Sequence, residues 1–287
     1  MSYSTLKYEV ADKILTLTLN RPDEMNSFTV EMHEELIAAY NRASDDDDVS
    51  VIVVTGAGKA FCAGMDLTRA GNAFGLDESK KPTVQDMKSN DFIEGVSDTG
   101  GRVTLAMFEC KKPIIGAING AAVGIGATML CAMDMRMAST KARIGFVFEK
   151  IGITQEACSS WFLPRIVGIS RALEWTYTGE IFNAEKALDA GFVRSVHEPD
   201  QLLGDAYALA RQITDKSQVS IALARQMMWR LDAAHHPRDA HDIDSLAIFY
   251  QSQAESKEGI AAFLEKRPAN FTGKASSDMP PFYPWWK

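Results

Sequence analysis

Two short segments of small residues, each following a strand-like apolar run, restrict the fold of this chain more than any other feature. Val51–Thr55 is a short apolar run typical of a buried strand, and Lys59–Leu67 comes soon after it. Pro113–Ile118 is a second such run, and it leads through Asn119–Gly126 into a helix-prone stretch. A recurring unit of strand, small-residue turn, helix and strand predicts a repeating β/α core rather than a β-sandwich.

The two ends of the chain predict different kinds of structure. Near the start, Lys7–Val10 and Lys13–Leu19 alternate in polarity around a short turn, which predicts a β-hairpin. Beyond the last strand-like run, apolar residues recur at helical spacing and no strand pattern returns. The sequence therefore predicts a β/α core over residues 1–198 and a helical region over residues 199–287, which we expect to take part in oligomer formation.

Charge and cysteine usage argue against several classes of function. The chain of 287 residues has a formal net charge of −8, whereas a broad nucleic-acid-binding surface is basic. Its four cysteines lack the CxxC spacing of a zinc site and suggest no disulfide framework. No stretch is long and apolar enough to span a bilayer, and no basic-then-apolar leader occurs. We expect a reduced, cytoplasmic protein that binds neither nucleic acid, membrane nor metal.

The small-residue segments indicate a particular kind of chemistry. Glycine and alanine let a backbone approach a ligand closely. Asn119–Gly126 also opens a helix, where N–H groups lack intrahelical partners and favour negative charge. Two backbone N–H groups that converge on one oxygen atom stabilise an oxyanion. We expect each segment to contribute one such donor.

Other readings of these residues fit less well. Gly124–Gly126 lacks the third glycine of a dinucleotide-binding fingerprint, and Gly56–Lys59 lacks the spacing of a P-loop. No Gly-x-Ser-x-Gly turn of a serine hydrolase is present. Three histidines fit no familiar metal-site spacing and are expected at exposed helix ends: His235, His236 and His241.

Five stretches, in order, resemble one family over nearly the whole chain: Asn20–Asn26, Ala60–Leu67, Lys112–Ala121, Gly152–Arg165 and Glu265–Phe271. On these motifs the chain is similar to the enoyl-CoA hydratase/isomerase (crotonase) superfamily. The resemblance implies an α/β fold, a crotonase-like spiral of ββα units. It also implies a C-terminal helical trimerisation region, commonly assembled as a homotrimer or a dimer of trimers.

The same resemblance implies a site for an acyl-CoA thioester. It places the oxyanion hole at the backbone N–H groups of Met65 and Ile125. Coenzyme A enters only as part of the substrate, and no other cofactor is implied. The residues implied to contact it are Glu24, Met25, Ser27, Ala63, Gly64, Asp66, Leu67, Phe271 and Lys274. Ile125 departs from the usual glycine, which a backbone donor tolerates as long as its φ is negative.

The catalytic carboxylates depart from the hydratase pattern. Thr128 and Phe148 occupy the positions of the two glutamates with which family hydratases activate water. Glu156 instead lies where the Δ3,Δ2-enoyl-CoA isomerases of the superfamily have their single catalytic glutamate. An apolar pocket, to which Phe148 and Trp161 are expected to contribute, would raise its pKa toward neutrality. Glu149 is the reserve candidate.

Several functions remain open at this stage. The leading hypothesis is isomerisation through Glu156. The alternatives are hydration or another enolate reaction (hydrolysis, dehalogenation or decarboxylation), a non-catalytic acyl-CoA-binding protein, and a nucleotide-dependent enzyme. The polar, glycine-containing segment Thr68–Phe108 is expected to form a lid or pocket wall. The aromatic tail Pro280–Lys287 is expected to pack on the body of the protein or on another subunit.

Overall fold

The computed structural model describes residues 3–68, 72 and 74–287, which form two β-sheets surrounded by helices. The strands are β1 Leu6–Ala11, β2 Ile14–Leu19, β3 Val51–Gly56, β4 Ala60–Cys62, β5 Ile114–Ile118, β6 Ala121–Val123, β7 Met135–Ser139, β8 Arg143–Gly145, β9 Ile181–Asn183 and β10 Ser195–His197. The helices are α1 Val30–Asp45, α2 Val84–Ser89, α3 Thr99–Glu109, α4 Ile125–Cys131, α5 Ser159–Val167, α6 Ile169–Thr178, α7 Ala184–Asp189, α8 Leu202–Thr214, α9 Gln218–Leu231, α10 Pro237–Gln253 and α11 Ser256–Glu265. Pro22–Glu24 and Phe148–Ile151 are short 3-10 helices.

The two sheets are mostly parallel. The six-stranded sheet has the order β1-β2-β3-β5-β7-β10, in which only the β1–β2 pair is antiparallel. The smaller sheet has the order β4-β6-β8-β9, in which only the last pair is antiparallel. Parallel strands present their carboxyl ends at one edge, the usual place for a site in α/β proteins. The segments that follow β4 and β6 therefore leave the small sheet on the same side.

The first four residues of the central strand β3, Val51–Val54, are all apolar because helices cover both faces of the strand. Successive side chains of a strand point to opposite faces. Ile52 belongs to the larger hydrophobic core together with Leu36 of α1. Val51 and Val53 face the other way and pack in a second core with Leu202 of α8. A parallel strand buried on both faces has no need of polar residues, which explains the unbroken apolar run.

The α/β class and the N-terminal hairpin are confirmed. Ala11 lies opposite Ile14 in the β1–β2 pair. Among the residues that the structure describes, no strand follows β10, in agreement with the helical C-terminal region predicted from sequence. The three-residue strands of the small sheet were missed, because so short a strand shows no alternation of polarity.

The C-terminal region packs on the core as well as extending from it. Helix α8 begins beyond residue 198 but covers one face of the six-stranded sheet, so the division at residue 198 stays a prediction. The aromatic tail packs on the body of the protein, one of the two outcomes expected, since the guanidinium of Arg230 lies 3.4 Å from the ring centroid of Trp286. Within the described ranges, no helix has the length and apolarity needed to cross a membrane.

Candidate active site

The two small-residue segments lie against each other. They follow β4 and β6, which pair in parallel. Gly126 marks the closest approach, because an ideal Cβ atom there would lie 2.1 Å from the carbonyl oxygen of Cys62. No side-chain carbon fits at that distance. Glycine at this position therefore lets the first turn of α4 touch the backbone that leaves β4.

Gly126→Ala is expected to lower the free energy of unfolding by about 1–3 kcal/mol, because the backbone of one segment must shift. Urea denaturation would measure the change. The matched control is Gly204→Ala in α8, where no atom lies within 4 Å of the ideal Cβ position. Alanine there should stabilise the helix by about 0.5–1 kcal/mol. A Gly126→Ala protein as stable as the wild type would show that the segments do not touch.

The backbone amides of Met65 and Ile125 are both free of the neighbouring secondary structure. Phe28 donates its N–H to Gly64 O at 2.7 Å and accepts from Asp66 N at 2.9 Å, so the N–H of Met65 points away from Phe28. Ile125 is the first residue of α4, where N–H groups have no intrahelical partner. The positive φ of this turn falls on Gly124, at 56°, and Ile125 is not among the positive-φ residues of the described chain. Isoleucine therefore fits the position without backbone strain.

A cavity of about 330 Å³ borders both segments. Six residues predicted for the site from sequence line it: Ala63, Gly64, Met65, Leu67, Ile125 and Glu156. Most of the remaining wall is apolar: Phe74, Leu76, Val123, Val147, Phe148, Ile151 and Ile153. A cavity of this size with few polar groups is typical of a small-molecule site.

Glu156 is the buried acid of this cavity. Thr128 Oγ1 donates to Glu156 Oε1 at 2.6 Å. The pKa of Glu156 is raised from its ordinary value of 4.5 to about 8, chiefly by burial; the hydrogen bond from Thr128 opposes this rise, and the charge of Asp98 and a hydrogen bond to it add to it. Near neutral pH this carboxyl is a much stronger base than an ordinary glutamate, as expected for a group that exchanges protons with a ligand.

Of the two aromatic residues and the reserve acid that the sequence suggested for this pocket, only Phe148 lines the cavity. Phe148 is buried and lines the cavity, as expected. The expectation for Trp161 is wrong, because its ring does not line the cavity and packs 4.8 Å from the ring of Phe162, beneath the guanidinium of Arg165. The reserve candidate Glu149 does not line the cavity either. Glu156 is therefore the glutamate that the fold brings to the two amides.

Four other residues predicted to contact coenzyme A do not line this cavity: Glu24, Met25, Ser27 and Asp66. Met25 is joined to the wall through its backbone, since Ala63 N donates to Met25 O at 3.1 Å. Arg21 joins two of them, because its guanidinium lies 3.1 Å from both the Ser27 hydroxyl and Asp66 Oδ2. Their contact with coenzyme A stays a prediction.

Phe271 and Lys274 lie in a different cavity, together with Asp47 and Lys112. Lys274 Nζ is 3.7 Å from Asp47 Oδ2. The fold of one chain therefore does not bring this pair to the cavity of Glu156. Their contact with the coenzyme A nucleotide also stays a prediction.

The segment Thr68–Phe108 forms one wall of the cavity, as expected, although residues 69–71 and 73 lie outside the described part of the chain. Sequence reasoning named none of the wall residues it supplies: Phe74, Leu76, Asp98 and Thr99. Of these residues, only Asp98 could have been recognised from sequence, as the N-cap of a helix; its side chain accepts a hydrogen bond from Gly101 N.

His235 and His236 are exposed just before α10, as expected for a helix end, whereas His241 is exposed within that helix. The Nδ1 atom of His236 accepts a hydrogen bond from Arg238 N at 3.0 Å and caps α10. In the ranges that the structure describes, no three His, Cys, Asp or Glu side chains are grouped so that they could hold a metal ion.

Comparison with known proteins supports the resemblance. A family model described as enoyl-CoA hydratase/isomerase matches residues 9–274. Enoyl-CoA hydratase ACTT3 of Alternaria alternata is 37% identical over 265 residues, which cover 91% of this chain and 83% of that protein. The 1,2-epoxyphenylacetyl-CoA isomerase of Escherichia coli K12 is 32% identical over 268 residues, which cover 91% of this chain and 95% of that protein.

A solved structure agrees at the level of the fold. The crystal structure of a probable enoyl-CoA hydratase/isomerase from Mycobacterium abscessus superposes with a TM-score of 0.82 at 31% identity. The match covers 94% of this chain and 99% of that one. The crotonase-like fold predicted from the sequence is therefore confirmed.

Proposed function

Because the chain belongs to the enoyl-CoA hydratase/isomerase family, we propose that it is an enoyl-CoA isomerase that moves a double bond from C3 to C2 of an acyl-CoA thioester. The observation that carries the proposal is the buried carboxyl of Glu156, which lines one cavity with Met65 and Ile125. Thr128 and Phe148 occupy the positions of the hydratase glutamates and provide no carboxylate there. The reaction needs no cofactor beyond the coenzyme A of the substrate.

The amides of Met65 and Ile125 are proposed to hold the thioester oxygen. Removal of a C2 proton places negative charge on that oxygen, and two fixed N–H donors stabilise it without reorganisation. Both donors are supported by geometry, since the N–H of Met65 points away from Phe28 and Ile125 begins a helix. Such donors make the C2 proton acidic enough for a carboxylate to remove.

Glu156 is proposed to move the proton. The ionised carboxyl takes a proton from C2, the electrons of the broken C–H bond pass into the thioester, and a dienolate forms. The same carboxyl then returns the proton to C4, and the double bond lies between C2 and C3. With a pKa of about 8, about a tenth of the Glu156 side chains are ionised at pH 7. The rate should therefore rise with pH through this value.

Hydration of a 2-enoyl-CoA is the second candidate. The observation that favours it is Asp98, which lines the same cavity as Glu156 and supplies a second carboxyl. Two acidic groups could position and activate a water molecule. Against it, most of the wall is apolar, and Thr128 directs its hydroxyl to Glu156 itself.

A comparison of 3-enoyl-CoA and 2-enoyl-CoA substrates separates the two reactions. Isomerisation of a 3-enoyl-CoA creates a double bond conjugated with the thioester, so the absorbance of that conjugated group should increase. Hydration of a 2-enoyl-CoA removes conjugation, so the absorbance should decrease. Turnover of only the 2-enoyl-CoA would favour hydration. Tight binding of both thioesters without turnover would favour a non-catalytic acyl-CoA-binding protein.

Assembly as a homotrimer or a dimer of trimers is part of the same proposal. Helices α10 and α11 expose large apolar side chains, among them Phe249 at 58% and Phe263 at 82% exposure. Exposed apolar surface of this kind commonly marks a protein–protein contact. The cytoplasmic location stays a prediction from sequence.

A further inference from the structure

A second acid, Asp98, is fixed directly beside Glu156. Asp98 caps α3, and its Oδ1 atom accepts a hydrogen bond from Gly101 N in the first turn of that helix. The same oxygen accepts from Ala157 N at 3.2 Å. Because Ala157 follows Glu156 in the chain, these two hydrogen bonds connect the start of α3 to the loop that contains the proposed base.

The two oxygens of the Glu156 carboxyl lie in different surroundings. Oε1 accepts from Thr128 of α4 at 2.6 Å. Oε2 lies against the first turn of α3, because an ideal Cβ atom on Gly100 would be 1.9 Å from it. The absence of a side chain at Gly100 therefore creates the space in which the carboxyl approaches Asp98.

Neighbouring carboxyl groups do not readily both ionise in a buried site. Asp98 Oδ1 already accepts hydrogen bonds from the backbone N–H groups of Gly101 and Ala157. The pKa of Glu156 is raised to about 8, chiefly by burial, and the charge of Asp98 and the hydrogen bond to it contribute to this rise. The raised pKa of Glu156 places the proton of the pair on that carboxyl, with Asp98 as its hydrogen-bond partner.

The buried thiols and the imidazole near this pair are neutral near pH 7. Cys62 of β4 and Cys131 of α4 are buried, and burial raises the pKa of each thiol to about 12. Burial also raises the pKa of Cys158, which follows in the same loop. Burial and the charge of Arg102 lower the pKa of His33 of α1, and the charge of Asp98 opposes them. Among the residues that the structure describes, Asp98 is the one whose charge shifts the pKa of Glu156.

We propose that Asp98 is a positioning residue whose carboxylate holds the proton that Glu156 takes from the substrate, so that this proton stays in the cavity until it is returned to C4. The inference rests on the proposed isomerase function. During the reaction the proton moves from C2 to Glu156 and then to C4, while Asp98 stays ionised. Asp98 neither gains nor loses a proton.

Asp98→Asn tests this role with little change in shape. The asparagine Oδ1 can still accept from Gly101 N and Ala157 N, so the cap of α3 is retained. The charge is removed, and the pKa of Glu156 should fall from about 8 toward neutrality. For each pH unit that the midpoint falls, the ionised fraction well below it increases roughly tenfold.

The titration of Glu156 can be followed in the resting protein by infrared difference spectroscopy of its protonated carboxyl, assigned with Glu156→Gln. This readout does not depend on turnover, so it tests the pairing even if no isomerase activity is found. Asp91→Asn is the matched control, because Asp91 is exposed, belongs to the same segment and does not line the cavity. Thr128→Val should shift the midpoint upward, since the bond from Thr128 lowers the pKa of Glu156.

Transfer of the proton supplies the second measurement. With a substrate carrying deuterium at C2, the wild type should deliver part of the label to C4, and Asp98→Asn should lose more of it to solvent. A midpoint for Asp98→Asn equal to that of Asp91→Asn, with unchanged label transfer, would overturn the proposal. If Asp98→Asn does not fold, Asp98→Ser keeps an N-cap oxygen, removes the same charge and is judged by the same two results.

Discussion

Replacing Glu156 by glutamine should lower the turnover of a 3-enoyl-CoA by about 10²–10⁴-fold, the usual contribution of a positioned acid–base group. Glutamine has nearly the same shape, and its amide oxygen can still accept the hydrogen bond from Thr128. What is lost is the ability to take and return a proton. Steady-state rates at several pH values would measure the effect, and the affinity for the thioester should change little.

Glu149→Gln is the matched control for this experiment. Glu149 lies next to Phe148 in the chain but does not line the cavity, so its replacement should leave the rate near that of the wild type. Full activity in Glu156→Gln would contradict the mechanism. Loss of activity in Glu149→Gln but not in Glu156→Gln would indicate that Glu149 is the base.

Glu156→Gln should also increase the stability of the folded protein at alkaline pH. The pKa of Glu156 is 4.5 as an ordinary glutamate and about 8 in the fold. Below pH 4.5 both the folded and the unfolded chain hold this proton, so the group does not affect stability. Between these values only the unfolded chain loses it, and the free energy of unfolding falls as pH rises. Above pH 8 the cost of ionising Glu156 in the folded protein reaches about 5 kcal/mol, which Glu156→Gln should remove.

Urea denaturation of the wild type and Glu156→Gln at pH 5 and pH 9 would measure this linkage. The two proteins should differ little at pH 5, and the variant should be the more stable one at pH 9. Comparing the difference at the two pH values cancels the groups that both proteins share. An equal difference at both values would mean that the Glu156 side chain does not hold its proton in the folded state.

Sequence reasoning identified the acid and both amides of the candidate site because their surroundings have local signals. The small residues around Gly126 indicated a close approach of the backbone, and at Gly126 that approach requires glycine. Met65 and Ile125 follow strands at positions fixed by the family motifs, and Glu156 lies in one of those motifs. All three residues line one cavity, although they are far apart in the chain.

The sequence was less informative where position depends on tertiary packing. Phe74 and Leu76 belong to an irregular segment without periodicity, so nothing local shows that they face the cavity. Trp161 was expected to contribute to the pocket, but the direction of a side chain on α5 decides its contacts, and the ring packs against Phe162 instead. Asp98 could be recognised as a helix cap, but its partner across the cavity could not be predicted from that signal.

The packing of α8 has a consequence for how this chain can be divided. Apolar side chains of the central strands, such as Val53 and Ile115, are shielded from water by Ala206 and its neighbours on that helix. A fragment that stops at residue 198 would present this surface to solvent and to other fragments. The part of the chain that carries the acyl-CoA chemistry therefore depends on the part assigned to assembly for its own folding.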